Sequence, residues 1–392
     1  MILKPYYINK DISYQFSFAI QDLAKDWSLV QHYNLYLTTP YLTAIENSKI
    51  PHLGFLYVVV YQKEVPVGLM YFQSIEITNG FYFQDTFPHE IKKRITTKML
   101  KSLCGNLMVC GNFFATGENG FVMHQEISTE VVYEVVKDLK TALKQTGTSI
   151  GLSFILFKEF WKNQQLAIQQ TLHKKYHSFE IDVNMVLEMD NTWHTFQEYL
   201  SSMTTKYRTR AKSVYKKTIE IKERELSAAD IKAAKSSIHN LYVSVVKTAS
   251  FNMVKFTEDN FYQFKKELKD DFVFRGYFLE DTLVAFSTAC LTDGCLDANY
   301  VGIDYKINES LPLYQRILYD YVQLAITNKV KELRLGRTAE LIKSSLGAKP
   351  VRMQLYIKHN NKMVNTLMKP LIKKVKPSVY ELRSPFKKDQ KA

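Results

Sequence analysis

A chain of 392 residues with 46% hydrophobic and 13% aromatic content has the length of about two domains and enough apolar side chains to give each a core, which excludes a disordered protein. Its net charge of +13 is concentrated: residues 204–224 carry eight Lys or Arg against two Glu, and residues 369–392 carry eight against two acids. Blocks of this kind draw a nucleic acid, a phosphorylated cofactor or an anionic membrane surface, unless they are only a solvated helix face and a frayed tail.

In chain order, the first sixteen residues, MILKPYYINKDISYQF, lack an apolar core of signal-peptide length. No later stretch approaches the roughly 20 apolar residues that a membrane span needs, so the expected location is cytoplasmic. A pattern then occurs twice, over Phe55–Phe157 and Phe272–Leu335. In the first copy, apolar runs flank the polar turn Gln62-Lys63-Glu64, which reads as a β-hairpin. A strand-like LMVCGNFFA follows, then a helix opened by Ser128 or Thr129 with Val131, Val132, Val135, Val136, Leu139 and Leu143 on one face, then the strand-like SIGLSFILF. A boundary falls near Asp182, where the strand-like IDVNMVLEM begins, and a helical lead-in runs from Trp193 to Leu268. The second copy has its hairpin around Leu279-Glu280-Asp281-Thr282, the strand DANYVGIDY, a helix opened by Ser310 and Pro312, and the strand KELRLG. The expected fold is α+β, two tandem domains each with a mixed, mostly antiparallel sheet flanked by helices: residues 1–181, residues 182–368 as the catalytic half, and a basic tail 369–392.

Three passages carry a resemblance to a known family: TTKYRTRAKSVYKKTIEIKERE (Thr204–Glu225), NYVGIDYKINESLPLYQRILYDYVQLAI, and LRLGRTAELIKSSLGAKP. In order and spacing they resemble the GNAT acyltransferase superfamily, and within it the tandem, Fem-type peptidyltransferase branch. The resemblance implies transfer of an acyl group to an amine. In Fem-type enzymes a lysine in the third passage stabilises the charged transition state, which points to Lys343. The Gly-rich pyrophosphate loop of ordinary GNAT enzymes is absent from Lys306–Leu313.

Acyl transfer needs an acceptor nitrogen held at the carbonyl, donors for the developing oxyanion and a handle for the donor's phosphates. The start of the helix after Ser310 is the expected handle, with Ser310, Leu311, Leu313 and Tyr314 supplying N–H groups and Arg316 adding charge. Arg337, just past a strand end, is placed to fork onto phosphate or carboxylate, with Lys343 one turn further on. Asp304 is a candidate base or amine-orienting group, with Glu340 a weaker one for the same task, and Tyr300 shares a strand face with Asp304. Lys206 and Arg210 would meet the substrate from the basic helix. Each has a plain structural alternative: a capped core helix, surface charges or a turn aspartate.

His173 and His177 are the one pair at HxxxH spacing, no HExxH occurs, and Cys104, Cys110, Cys290 and Cys295 have no ligand spacing, so no metal is expected and the cysteines read as reduced packing residues. With no G-x-S-x-G elbow, a covalent acyl-enzyme is not indicated. Three functions remain: an N-acyltransferase using acyl-CoA or an acyl carrier protein, a Fem-type transferase using aminoacyl-tRNA on a cell-wall precursor, and a binding protein that kept the fold without catalysis. The basic tail also permits peripheral contact with an anionic membrane at its inner face. DNA is not an expected partner.

Overall fold

The computed structural model describes residues 4–77, 104–146, 152–162, 164–248, 254–373, 375 and 380–387. Two compact units divide the chain, one formed by Met1–Ile181, Met253–Lys255 and Arg352–Pro377, the other by Asp182–Asn252, Phe256–Val351 and Ser378–Ala392. Parts of the expected basic tail, residues 374, 376–379 and 388–392, lie outside the described residues.

The first unit's strands run β1 (Tyr6–Tyr7), β2 (Ile12–Ser17), β3 (Leu53–Gln62), β4 (Val65–Ile77), β5 (Gly105–Cys110), β6 (Phe121–Met123), β7 (Leu152–Trp161) and β8 (His177–Glu180). Those of the second run β9 (Asn184–Glu188), β10 (Ile221–Glu225), β11 (Phe272–Leu279), β12 (Thr282–Thr292), β13 (Cys295–Ile303), β14 (Glu332–Arg334) and β15 (Lys349–Val351). The last strand, β16 (Met353–His359), belongs to the first unit. Both sheets are mixed and mostly antiparallel, in the orders β1-β2-β3-β4-β5-β7-β16-β8, with β6 beside β4, and β10-β11-β12-β13-β14-β9-β15. The hairpins form where the sequence marks them. Between β3 and β4, Lys63 and Glu64 take φ of 47° and 70°, the twist that a two-residue turn needs to match the strands it joins.

Each sheet contains one parallel pair, β5 with β7 and β13 with β14. In each case the parallel strands are joined through a helix, Glu130–Gln145 in the first unit and Leu313–Thr327 in the second. The first unit's core lies between its sheet and the Val132, Val135, Val136 and Leu139 face of its helix. In the second, Leu313, Ile317, Leu318 and Val322 close over Leu296, Leu333 and Leu335. The parallel partnership of β13 ends early: only Cys295, Leu296 and Asp297 pair with β14, and β13 runs on to Ile303. β14 itself ends at Arg334, and the loop that holds Gly336 follows it.

One expected helix is divided. In place of a single helix from Ser310, there is a short helix Tyr305–Ser310, a break, and then Leu313–Thr327. Pro312 causes the break: its ring disfavours a helical residue before it, and Leu311 sits at φ −111°, ψ 118°.

Candidate active site

The loop after β14 holds the most unusual chemistry in the second unit. Gly336, Thr338 and Ala339 all have positive φ, at 73°, 62° and 55°. For β-branched Thr338 this is a strained conformation, costing on the order of 1–3 kcal/mol, and such strain persists only where surrounding contacts enforce it. The helix Glu340–Ser344 follows and turns Lys343 back under the loop, where its side chain is 4% exposed. Its Nζ donates to the carbonyls of Arg337 at 2.7 Å and Gly336 at 3.3 Å.

Burial lowers the Lys343 pKa to about 7, with Arg337 adding to the shift and Glu340 opposing it. An ammonium has three hydrogens, and two of these are committed to carbonyls. No hydrogen bond from the third is found among the described residues. Arg337 and Glu340 thus both act electrostatically on Lys343.

The surroundings hold this loop in place. The Tyr199 hydroxyl donates to Leu346 O at 2.9 Å, and Arg383 N donates to Ser344 Oγ at 2.9 Å. Gly347 takes φ of 100°, and a Cβ there would lie 2.1 Å from the Phe386 ring, so both its backbone and its neighbour require glycine. Residues 380–387 therefore do not fray: Thr204 N donates to Pro385 O, and Lys387 N to Ser202 O. Asn184 was not singled out in the sequence, where it reads as an ordinary strand residue. It is 1% exposed, and neither polar atom of its side chain has a hydrogen-bond partner among the described residues. It directly precedes Met185, whose N–H donates to Gly336 O.

The expected phosphate handle is closed. Leu311 N donates to Ile307 O, Leu313 N to Leu311 O, and Tyr314 N to Asn308 Oδ1 at 3.0 Å. Ser310 ends the preceding short helix, with its hydroxyl on Ile307 O. The inserted short helix supplies these acceptors, so the amides of Leu311, Leu313 and Tyr314 are already spent, and this helix start does not fit the pyrophosphate of coenzyme A. Arg316 is engaged as well. Its Nε donates to both Asp320 oxygens at 3.0 and 2.9 Å, its Nη1 to Thr218 Oγ1 at 3.2 Å, and it lies over the Tyr215 ring at 4.3 Å. Arg316→Ala should cost about 3–5 kcal/mol in urea unfolding, because Asp320 would be left buried without its cation. An unchanged midpoint would restore Arg316 as a ligand-facing residue.

Two further candidates have structural roles. Asp304 caps the short helix by accepting from Lys306 N at 2.9 Å. The Tyr300 ring packs among Phe256 at 4.5 Å, Phe261 at 5.9 Å and Tyr242 at 6.1 Å, beneath the helix Lys235–Val246. The strand face expected to meet substrate is thus covered by aromatic packing. Lys206 and Arg210 lie four residues apart on the helix Thr205–Lys217, which buries Ala211 and Val214. That helix carries six Lys or Arg and no acid, and no carboxylate among the described residues pairs with any of them.

No protein-family model matches the sequence, and no curated protein is similar to it. Solved structures are similar in fold. FemX superposes at a TM-score of 0.53 over 90% of this chain and 99% of its own, at 8% identity. A tandem GNAT protein from the clavulanic acid biosynthesis pathway reaches 0.48 over 92% and 98%, at 7% identity. L-PGS from Bacillus licheniformis reaches 0.43 over 78% and 86%, at 12% identity. At these identities the likeness speaks for the fold alone, and FemX carries it. With its two mixed sheets, each containing a parallel pair joined through a helix, this chain has a fold similar to that of FemX across most of its length.

Proposed function

We propose that the chain is an acyltransferase that acylates an amine, with Lys343 as the electrostatic catalyst. The observation that carries this is a buried lysine held by two carbonyls under a strained loop just past the end of β14. In the step proposed, the acceptor nitrogen bonds to the acyl carbon and the carbonyl oxygen gains negative charge. The third Lys343 hydrogen stabilises that charge. The carbon–sulfur or carbon–oxygen bond to the donor then breaks, the electron pair leaves with the donor, and the amine proton passes to solvent.

The donor's phosphates are assigned to the helix Thr205–Lys217 rather than to the closed start of the helix Leu313–Thr327. Its cations, from Lys206 to Lys217, extend along about 17 Å of helix axis. That length, together with the missing pyrophosphate cradle, favours an aminoacyl-tRNA over acyl-CoA or an acyl carrier protein. Coenzyme A remains the second reading because the resemblance implies it. Thermal-shift titrations with acyl-CoA and with charged and uncharged tRNA separate the two. With tRNA as donor, Lys206→Glu/Arg210→Glu should raise the donor KM about 10–100-fold, retain kcat, and reduce the slope of log affinity against log salt by about 2. Stabilisation by acyl-CoA alone would remove the tRNA reading, and no response to either would return the chain to a binding role.

A further inference from the structure

The helix Lys362–Ile372 in the first unit is built to be stable while leaving one face uncovered. Asn361 Oδ1 caps its start, accepting from Met363 N at 2.9 Å and Val364 N at 3.2 Å. Its inner side packs Val364 and Met368 against Phe154 and Ile357 of the sheet. On its outer side, Met363 is 77% and Leu367 52% exposed. Four residues apart, they stack on the same face. Lys362 and Lys369 on the helix and Lys373 just past its end are exposed, and no carboxylate among the described residues pairs with them. Residues 360–380 carry five lysines and no acidic side chain at all.

We infer that this helix is a docking surface for an anionic lipid bilayer. Two large apolar side chains exposed on one face would be a liability on a purely solvated helix. With lysines along one flank, they match an interface in which methionine and leucine enter the acyl boundary while ammonium groups meet lipid phosphates. A nucleic acid would use the lysines but not this apolar pair, since its bases stack on aromatic rings, and none is present on the helix. The inference concerns a different unit from the acyl-transfer site and stands independently of that reading.

Co-sedimentation of the full chain with vesicles tests it. Vesicles containing phosphatidylglycerol should bind the chain and release it as salt rises, and pure phosphatidylcholine vesicles should not bind. Lys362→Gln/Lys369→Gln/Lys373→Gln should weaken phosphatidylglycerol binding roughly 100-fold, at about fivefold per lysine. Met363→Ser/Leu367→Ser should also weaken it, by about tenfold or more, because the buried apolar area is lost. Both variants should keep the parent's melting temperature, since every altered residue is exposed. Met363→Trp should shift its emission to the blue with phosphatidylglycerol vesicles only. The inference is overturned if phosphatidylglycerol vesicles do not bind, if phosphatidylcholine vesicles bind equally well, or if the lysine variant binds as the parent does. It is also overturned if only the lysine variant loses binding while Met363→Ser/Leu367→Ser is unaffected, because the surface would then serve a polyanion without entering a bilayer.

Discussion

Lys343→Met is expected to lower kcat by about 10²–10³-fold, with little change in either KM, the scale of losing one oxyanion donor. The same substitution should stabilise the fold. Burial lowers the Lys343 pKa to about 7 in the folded chain, against 10.5 for a solvated lysine. Below pH 7 both folded and unfolded chains carry the charge, so the full cost of burying it falls on the folded state. Between pH 7 and 10.5 the folded chain releases the proton that the unfolded chain keeps, and stability rises with pH across that window. At 1.36 kcal/mol per unit, the cost removed in Lys343→Met at pH 6 is about 5 kcal/mol. Urea unfolding at pH 6 and 9 measures it, and an identical pH slope in parent and variant would mean that the lysine is not buried as described. In turnover, the charged form is the active one, so kcat should fall as pH rises through about 7. Lys343→Arg should move that limb to higher pH, because a guanidinium stays charged.

A chain cut to residues 1–181 is expected not to fold. β16 lies between β7 and β8 in the first unit's sheet, so the cut removes an interior strand. Met353, Leu355, Tyr356 and Ile357 on that strand are each 5% exposed or less. Their burial stabilises the unit by about 1.5–3 kcal/mol each, or about 6–12 kcal/mol together. A typical domain has only about 5–15 kcal/mol of stability to lose. The cut also uncovers the hydrogen-bonding edges of β7 and β8, a template for aggregation. Size-exclusion chromatography and near-UV circular dichroism should show an aggregated or molten fragment, and adding residues 352–373 through a linker should recover cooperative unfolding. A monomeric, cooperatively unfolding 1–181 fragment would contradict this account.

Local patterns made much of the fold legible. Phe55 to Ile77 and Phe272 to Thr292 read as hairpins because β-branched and aromatic runs flank short polar turns. The helix Glu130–Gln145 shows its apolar stripe directly, since helical spacing is a property of neighbours in the chain. Pro312 is equally visible, and in a first turn it is compatible with one helix, but its restriction on Leu311 creates two and brings Asn308 onto Tyr314 N.

Other features depend on contacts that no local pattern contains. The sequence places Lys343 one turn past Arg337 and the resemblance gives it a role, but its burial comes from the loop of Gly336–Ala339 and the chain that packs around it. Arg316 has the spacing of a phosphate ligand but is drawn to Asp320 one turn away and to Thr218 from a distant segment. Phe386 sits in a stretch that resembles a frayed basic tail, yet its ring fits against Gly347.

By itself the sequence determined the hairpins, the helical stripes, the concentrated positive charge and the α+β class, because each follows from residues within a few positions of one another. Only the tertiary structure decided which sheet β16 joins, which amides are already occupied and which lysine loses its water. Those outcomes turn on strand register, competing hydrogen-bond partners and desolvation, each set by groups far apart in the chain.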